Sequence, residues 1–104
     1  MSFCNFKECY DKSKISEIKK ILLNKRSSQA PTVIRNRNDG QVWLFFFREK
    51  CLKSLWIYDY TTGKWVTETP TFDVASACLF ENDIYISDKK GRIYIKKTGS
   101  NPSC

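Results

Sequence analysis

Residues 41–68, with the sequence QVWLFFFREKCLKSLWIYDYTTGKWVTE, decide the fold class of this chain. Aromatic and β-branched residues dominate the apolar runs of this stretch, and such residues favour strands. The runs at 41–48 and 54–60 are too short for helices, and a third run at 64–68 follows the turn Thr61-Thr62-Gly63. Two strands joined by a short turn that contains glycine predict a β-hairpin. This part of the chain is therefore predicted to be an antiparallel sheet.

The same strand pattern continues towards the C-terminus. Further apolar runs lie at 74–80, 84–87 and 92–96, and polar turns at 81–83 and 89–91 separate them. Short strands with turns every 8–12 residues or so are typical of an antiparallel meander.

The region before residue 41 is predicted to contain a helix over residues 12–25. An apolar stripe at helical spacing supports it, and its members are Ile15, Ile18, Ile21 and Leu22. Pro31 disfavours helical backbone in the residue before it, so the helix should end earlier. Residues 27–40 form a polar passage that contains one short apolar pair, Val33-Ile34.

The predicted meander is internally periodic. Val42-Trp43-Leu44 and Ile84-Tyr85-Ile86 are equivalent apolar–aromatic–apolar triplets, 42 positions apart. Residues 55–58 and 92–95 occupy the next strand of each unit, 37 positions apart. Periods of this size suit propeller blades or similar arrays.

Residues 58–65, Tyr-Asp-Tyr-Thr-Thr-Gly-Lys-Trp, resemble the Tyr-Asp…Trp segment of a Kelch repeat. Residues 42–47 lie where the second strand of a Kelch blade belongs, and 75–80 resemble the small-residue inner strand of the next blade. The resemblance implies a helical segment at 1–30, similar to the end of a BACK domain, a Kelch-like β-meander at 31–97, and a frayed tail at 98–104.

The fold class implied is mainly β with one N-terminal helix, built as an antiparallel meander of about one and a half β-propeller blades. Kelch blades end their second strand in Gly-Gly, where this chain has Phe46-Phe47 and, in the next unit, Ser87-Asp88. Glycine permits close backbone approach, so its absence implies a degenerate blade. WD-repeat and quinone-type propellers share the aromatic triplets and remain alternatives.

Aromatic side chains would fill the gap between neighbouring blades, where each pair adds roughly 0.5–1.5 kcal/mol beyond its buried area. We expect inter-blade packing for these residues rather than base stacking. The repeat-signature and packing residues are Trp43, Trp56, Tyr58, Asp59, Gly63, Trp65, Tyr85, Gly91 and Tyr94.

Fewer than two blades cannot close a propeller, and an isolated repeat cannot bury its own apolar face. Phe45, Phe46 and Phe47 are therefore expected to form an exposed interaction patch. The expected partner is a protein, including a second copy of this chain. In the Kelch family the propeller captures the target while a BTB domain holds a cullin ubiquitin ligase. The chain has no room for a BTB domain, so direct cullin binding is not expected.

Catalysis has little support in the sequence. The chain contains no histidine, so Cys-His and Ser-His arrangements are impossible. No catalytic, metal-ligating or cofactor-binding residue is predicted, and no cofactor is expected.

Nucleic-acid binding is the alternative function, because the formal net charge is +7. A basic patch beside exposed aromatic rings would suit it. The candidate residues are Lys19, Lys20, Lys25, Arg26, Arg35 and Arg37. The solvent face of an amphipathic helix is the ordinary explanation of the helical lysines, and we favour it over a nucleic-acid site.

The compartment is expected to be cytoplasmic. Five scattered cysteines suggest free thiols, and no stretch approaches the roughly 20 apolar residues of a membrane span. Lys7 and Glu8 interrupt any signal-like run. Short Kelch proteins of similar composition occur in poxviruses. If this chain is viral, the expected compartment is the cytoplasm of the host cell.

Overall fold

The computed structural model describes residues 6–9, 12–26, 31–48, 51–68 and 73–96, without the side chains of Lys25 and Arg26. Its elements in chain order are β1 (Lys7–Glu8), α1 (Lys12–Arg26), β2 (Thr32–Asn36), β3 (Gln41–Arg48), β4 (Cys51–Asp59), β5 (Lys64–Glu68), β6 (Val74–Phe80), β7 (Asp83–Asp88) and β8 (Ile93–Lys96). The predicted class, mainly β with one helix, is confirmed for these residues, and all strand pairs are antiparallel. The tail at 98–104 lies outside the described residues.

The first sheet is a meander in the order β2-β3-β4-β5. Successive side chains of a strand point to opposite faces, and here the two faces differ sharply in burial. The inner face carries large apolar residues that are at most 2% exposed: Ile34, Trp43, Phe45, Leu55 and Ile57. The predicted hairpin is confirmed, with Tyr58 paired to Trp65 and Asp59 to Lys64.

The second sheet has the order β6-β7-β8-β1, so its fourth strand comes from the N-terminal segment. One face meets the inner face of the first sheet. The buried residues that it contributes to this shared core are Val74, Ala77, Ile84 and Ile86. Phe6, directly before β1, completes the same core and lies edge-on to Trp43 with ring centroids 6.2 Å apart.

Helix α1 covers the other face of the second sheet. Ile18 and Leu22 are buried against Cys78, Tyr85 and Ile93. The helical stripe predicted from the sequence therefore packs as expected, while Leu23 lies off it and is 63% exposed. The molecule consists of three layers: the first sheet, the second sheet and α1. The helix has neither the length nor the apolar character to cross a membrane.

Two described strands were not predicted. β2 lies in the supposed polar passage, because its buried face carries Thr32 and Asn36 as well as Ile34. Polar residues on the buried face hide the alternation that signals a strand. β1 has two residues and follows no local pattern; its pairing with β8 positions it. The N-terminal segment thus contributes a strand to the second sheet through β1, and a layer of its own through α1.

Candidate functional site: the outer aromatic face

The face of the first sheet that points away from the second sheet is rich in exposed aromatic side chains. We call it the outer aromatic face and define it by Leu44, Phe46, Trp56, Tyr58 and Trp65. β3, β4 and β5 supply these residues in register, with Leu44 opposite Trp56 and Tyr58 opposite Trp65. Trp56 is 41% exposed and Trp65 is 54% exposed. Large aromatic residues rarely remain this open in a row, so the face requires an explanation.

The rings of the outer aromatic face support one another. The Trp65 ring lies 4.8 Å from the Tyr58 ring and 6.2 Å from the Trp56 ring, the latter at 77°. Both distances fall within the range of favourable aromatic pairs. Beside them lies a shallow apolar depression of about 550 Å³, lined by Leu44, Phe46, Trp56 and Trp65. The arrangement is an exposed and largely apolar surface with a shallow depression.

The predicted patch of three phenylalanines is wrong as an exposed unit. Phe45 is fully buried in the core, and Phe47 packs against the same core, stacked on Phe45 at 6.3 Å. Of the three, Phe46 alone lies on the outer aromatic face, 37% exposed. Strand alternation places Phe45 and Phe47 on the inner side and Phe46, between them, on the outer side.

The backbone shows which faces of the two sheets are equivalent. Tyr60 N–H donates to the Gly40 carbonyl, and Cys9 N–H donates to the Ile93 carbonyl. Hydrogen-bonded and non-bonded pairs alternate along antiparallel strands. By this alternation Trp43 directs its N–H and C=O towards β2, and Tyr85 directs its own towards β6. Both residues therefore lie on the same face of their respective meanders.

This equivalence fixes how the layers stack. The Trp43 face of the first sheet packs on the second sheet, while the equivalent Tyr85 face of the second sheet packs on α1. The sheets are thus stacked front to back. The outer aromatic face is equivalent to the face of the second sheet that carries Ile84 and Ile86. In the second sheet this face is buried by the first sheet.

The internal repeat of the sequence agrees with this stacking, with one correction. Trp43 and Tyr85 occupy equivalent places in β3 and β7, as the triplets predict. In the next strand, Trp43 pairs with Ile57 and Tyr85 pairs with Ile95. The sequence periodicity predicts Tyr94 as the equivalent of Ile57, whereas the strand pairing gives Ile95, one residue later.

Asp59 and Gly63 of the repeat signature build the turn between β4 and β5. The Asp59 carboxylate accepts hydrogen bonds from the Thr61 hydroxyl and from the N–H groups of Thr61 and Thr62. The bond from the Thr61 hydroxyl is the main cause that holds the pKa of Asp59 below its ordinary value. Gly63 adopts a φ of 72° and donates its N–H to the Asp59 carbonyl at 2.7 Å.

Asp88 and Gly91 repeat this turn in the second sheet. The Asp88 carboxylate accepts the N–H groups of Lys90 and Arg92 and the Arg92 guanidinium at 2.7 Å. Burial alone would raise the pKa of Asp88, but the hydrogen bonds and charge of Arg92 lower it overall. Asp88 was not predicted as a turn residue. Its spacing to Gly91 is close to that of Asp59 to Gly63, and this similarity in the sequence could have indicated the second turn.

Tyr85 and Tyr94 are packing residues. Tyr85 is 1% exposed beneath α1, and burial raises the pKa of its hydroxyl. Tyr94 is half-buried beside the inter-sheet core, and burial likewise raises its pKa. Trp43 is buried, and the Lys96 ammonium lies 5.6 Å from its ring centroid and 3.7 Å from Asp39.

The four basic residues of the alternative function whose side chains the structure describes do not form one patch. Lys19 and Lys20 are exposed on α1, whereas Arg35 lies on β2 beside the outer aromatic face at the opposite side of the layered molecule. Arg35 and Arg37 border a pocket of about 260 Å³. The side chains of Lys25 and Arg26 lie outside the described part.

Metal-ligand chemistry is sparse in the described chain. Across the described ranges no three His, Cys, Asp or Glu side chains cluster as a metal site would require. Cys9, Cys51 and Cys78 carry free thiols.

No protein-family model, curated protein or solved structure matches this chain. The outer aromatic face must therefore be interpreted from its own geometry.

Proposed function

We propose that this chain is a non-enzymatic protein-interaction module that docks a partner protein on its outer aromatic face. The observation that carries the proposal is the front-to-back stacking of the two sheets. In the second sheet, the face that carries Ile84 and Ile86 is covered by the apolar inner face of the first sheet. The outer aromatic face is the equivalent face of the first sheet, and it is exposed. Trp56 and Trp65 are the natural anchors, because exposed tryptophans that become buried supply most of the binding energy in many interfaces.

We propose further that each sheet is a propeller-type blade. Two observations support this: the order of a four-stranded antiparallel meander in both sheets and their front-to-back stacking. The partner would then supply a sheet face similar to the one that carries Trp43. Edge-on and tilted aromatic contacts like those already present would extend across the interface.

The Kelch resemblance gives the proposal a more specific form. The chain would be part of the target-capturing end of a cullin-ligase adaptor, outside the BTB domain that recruits the ligase in that family. It would compete with an intact relative for the target in the cytoplasm, as a viral host-modulating protein would. Direct binding of a purified cullin to this chain would contradict this form of the proposal.

The test of the docking surface compares Trp56→Ser with Tyr60→Ser. Both replace an exposed aromatic residue of the same strand region, but Tyr60 lies in the turn and is 50% exposed. Proteins captured from a cell extract by the unchanged chain are purified, and their Kd values are measured directly. We expect Trp56→Ser to weaken binding at least about tenfold, which is roughly 1.4 kcal/mol, and Tyr60→Ser to leave it unchanged. Equal binding by both variants would overturn the proposal.

Nucleic-acid binding is the second candidate, favoured by the position of Arg35. Arg35 shares a cross-strand row with Val42, Tyr58 and Trp65, so a cation flanks rings on which bases could stack. Affinity for a single-stranded oligonucleotide should then fall by orders of magnitude between 50 and 200 mM salt, roughly as counterion release requires. Protein docking on the outer aromatic face should change little over the same range. No oligonucleotide binding at 50 mM salt would exclude this candidate.

A further inference from the structure

Among the described strands, β5 is an edge of the first sheet. It pairs with β4 on one side, and Lys64, Trp65, Val66 and Thr67 are all exposed. Trp65 and Val66 are 54% and 41% exposed on opposite faces of the strand. An exposed edge strand without proline is a template for pairing with another chain.

The hydrogen-bonding direction along β5 follows from the pairing of the sheet. The bond from Tyr60 N–H to the Gly40 carbonyl sets the alternation across β3 and β4, so Ile57 and Asp59 direct their backbone groups towards β5. Their partners Val66 and Lys64 face back towards β4. The N–H and C=O groups of Trp65 and Thr67 consequently point away from the sheet.

The sequence of β5, Lys-Trp-Val-Thr-Glu, is complementary to itself when two copies run antiparallel. With a two-fold axis at Val66, Trp65 lies opposite Thr67 of the second copy, and their outward backbone groups meet as hydrogen-bonded pairs. Lys64 lies opposite Glu68 of the second copy on one face of the joined sheet. Opposite charges directly across an antiparallel pair are stabilising.

The other edge strands lack this symmetry. β2 carries one charged residue, Arg35, and in an antiparallel self-pair it would face Val33. β6 has no charged residue, and β1 has two residues only. Charge complementarity therefore selects β5 among the described edges.

We propose that the chain forms a two-fold dimer through β5, in which the two first sheets join into one continuous eight-stranded antiparallel sheet. Such an interface is isologous, so the same five residues serve both copies. It also aligns the two outer aromatic faces on one side of the joined sheet. The dimer is separate from partner docking: docking uses the face, whereas dimerisation uses the edge.

The test measures mass and the dimer dissociation constant by sedimentation over a concentration series. Thr67→Pro removes an outward N–H without touching the pairing to β4, and proline is tolerated at such edge positions. Lys64→Glu and Glu68→Lys each place like charges opposite one another, whereas the double variant restores opposite charges. Lys20→Glu on α1 is the control with the same charge change. Circular dichroism verifies that each variant is folded.

We expect the unchanged chain and Lys20→Glu to dimerise, Thr67→Pro to be monomeric, and each single reversal to weaken dimerisation about tenfold. The double variant should regain most of the lost affinity. A monomer at all concentrations would overturn the proposal. A dimer that persists in Thr67→Pro would also overturn it. So would equal dimer dissociation constants for the single and the double charge variants. Trp56→Ser should still dimerise, which separates this result from the docking test.

Discussion

At the scale of single residues, Asp88 shows how a buried carboxylate holds a turn. Its side chain is 5% exposed and is bound by Arg92 through both backbone and guanidinium. The pKa of Asp88 is lowered in the fold, so the ionised form stabilises the native state. This contribution is fully present above the unfolded pKa, near 3.9, and is lost as the pH falls through the lower folded pKa.

The prediction concerns acid unfolding. We expect Asp88→Asn to lose about 1–3 kcal/mol of stability at pH 6, because charge-assisted hydrogen bonds are lost. We also expect the variant to lose less stability than the unchanged chain between pH 5 and pH 2. Urea unfolding at a series of pH values measures both. Parallel curves for the two proteins would show that Asp88 makes no pH-dependent contribution.

Glycine positions give a second prediction at this scale. Gly40 and Gly91 both have positive φ, at 66° and 87°. A Cβ on Gly40 would meet the Thr61 Cγ2 at 2.5 Å, whereas a Cβ on Gly91 would meet nothing within 4 Å. Gly91→Ala should cost about 1–2 kcal/mol from backbone strain alone, and Gly40→Ala should cost clearly more. Equal losses in urea unfolding would mean that Thr61 moves aside freely.

At the scale of elements, the contact of α1 with the second sheet can be tested with two adjacent leucines. Leu22 is 2% exposed and Leu23 is 63% exposed. Leu22→Ala should destabilise the protein by about 2–5 kcal/mol, because a buried leucine leaves a cavity. Leu23→Ala should stay within about 0.5 kcal/mol. Similar effects of the two substitutions, measured by thermal unfolding, would contradict the packing of the helix.

The elements also show what sequence patterns can reveal. β3, β5 and β6 were predicted with their observed limits, because apolar residues and turn signals mark them locally. β2 was missed because Thr32 and Asn36 are buried, and β1 because only its partner β8 orders it. The candidate site was predicted in part. Trp56 and Trp65 were predicted as repeat residues. Residues 42–47 are apolar on both faces of β3, so their composition does not show that Leu44 and Phe46 lie on the outer side and Phe45 in the core.

At the scale of the whole molecule, Phe6 joins the N-terminal segment to the core between the sheets. It is 8% exposed and packs edge-on against Trp43. Phe6→Ala should cost about 3–5 kcal/mol and should also loosen β1 from β8. Hydrogen exchange at Cys9 N–H, which donates to the Ile93 carbonyl, reports this loosening. Unchanged protection at Cys9 in the variant would show that strand pairing alone holds β1.

The pairing of β1 with β8 has a consequence for synthesis on the ribosome. The first sheet is contiguous in the chain and can pair as soon as residue 68 has emerged. β1 and α1, although made earlier, have no sheet to join until β6, β7 and β8 follow. Contacts between such distant segments form slowly, because a long loop must close first. β1 and α1 are thus among the last of the described elements to fold although they are made before the others, and a chaperone would have to hold them for longer than any strand of the first sheet.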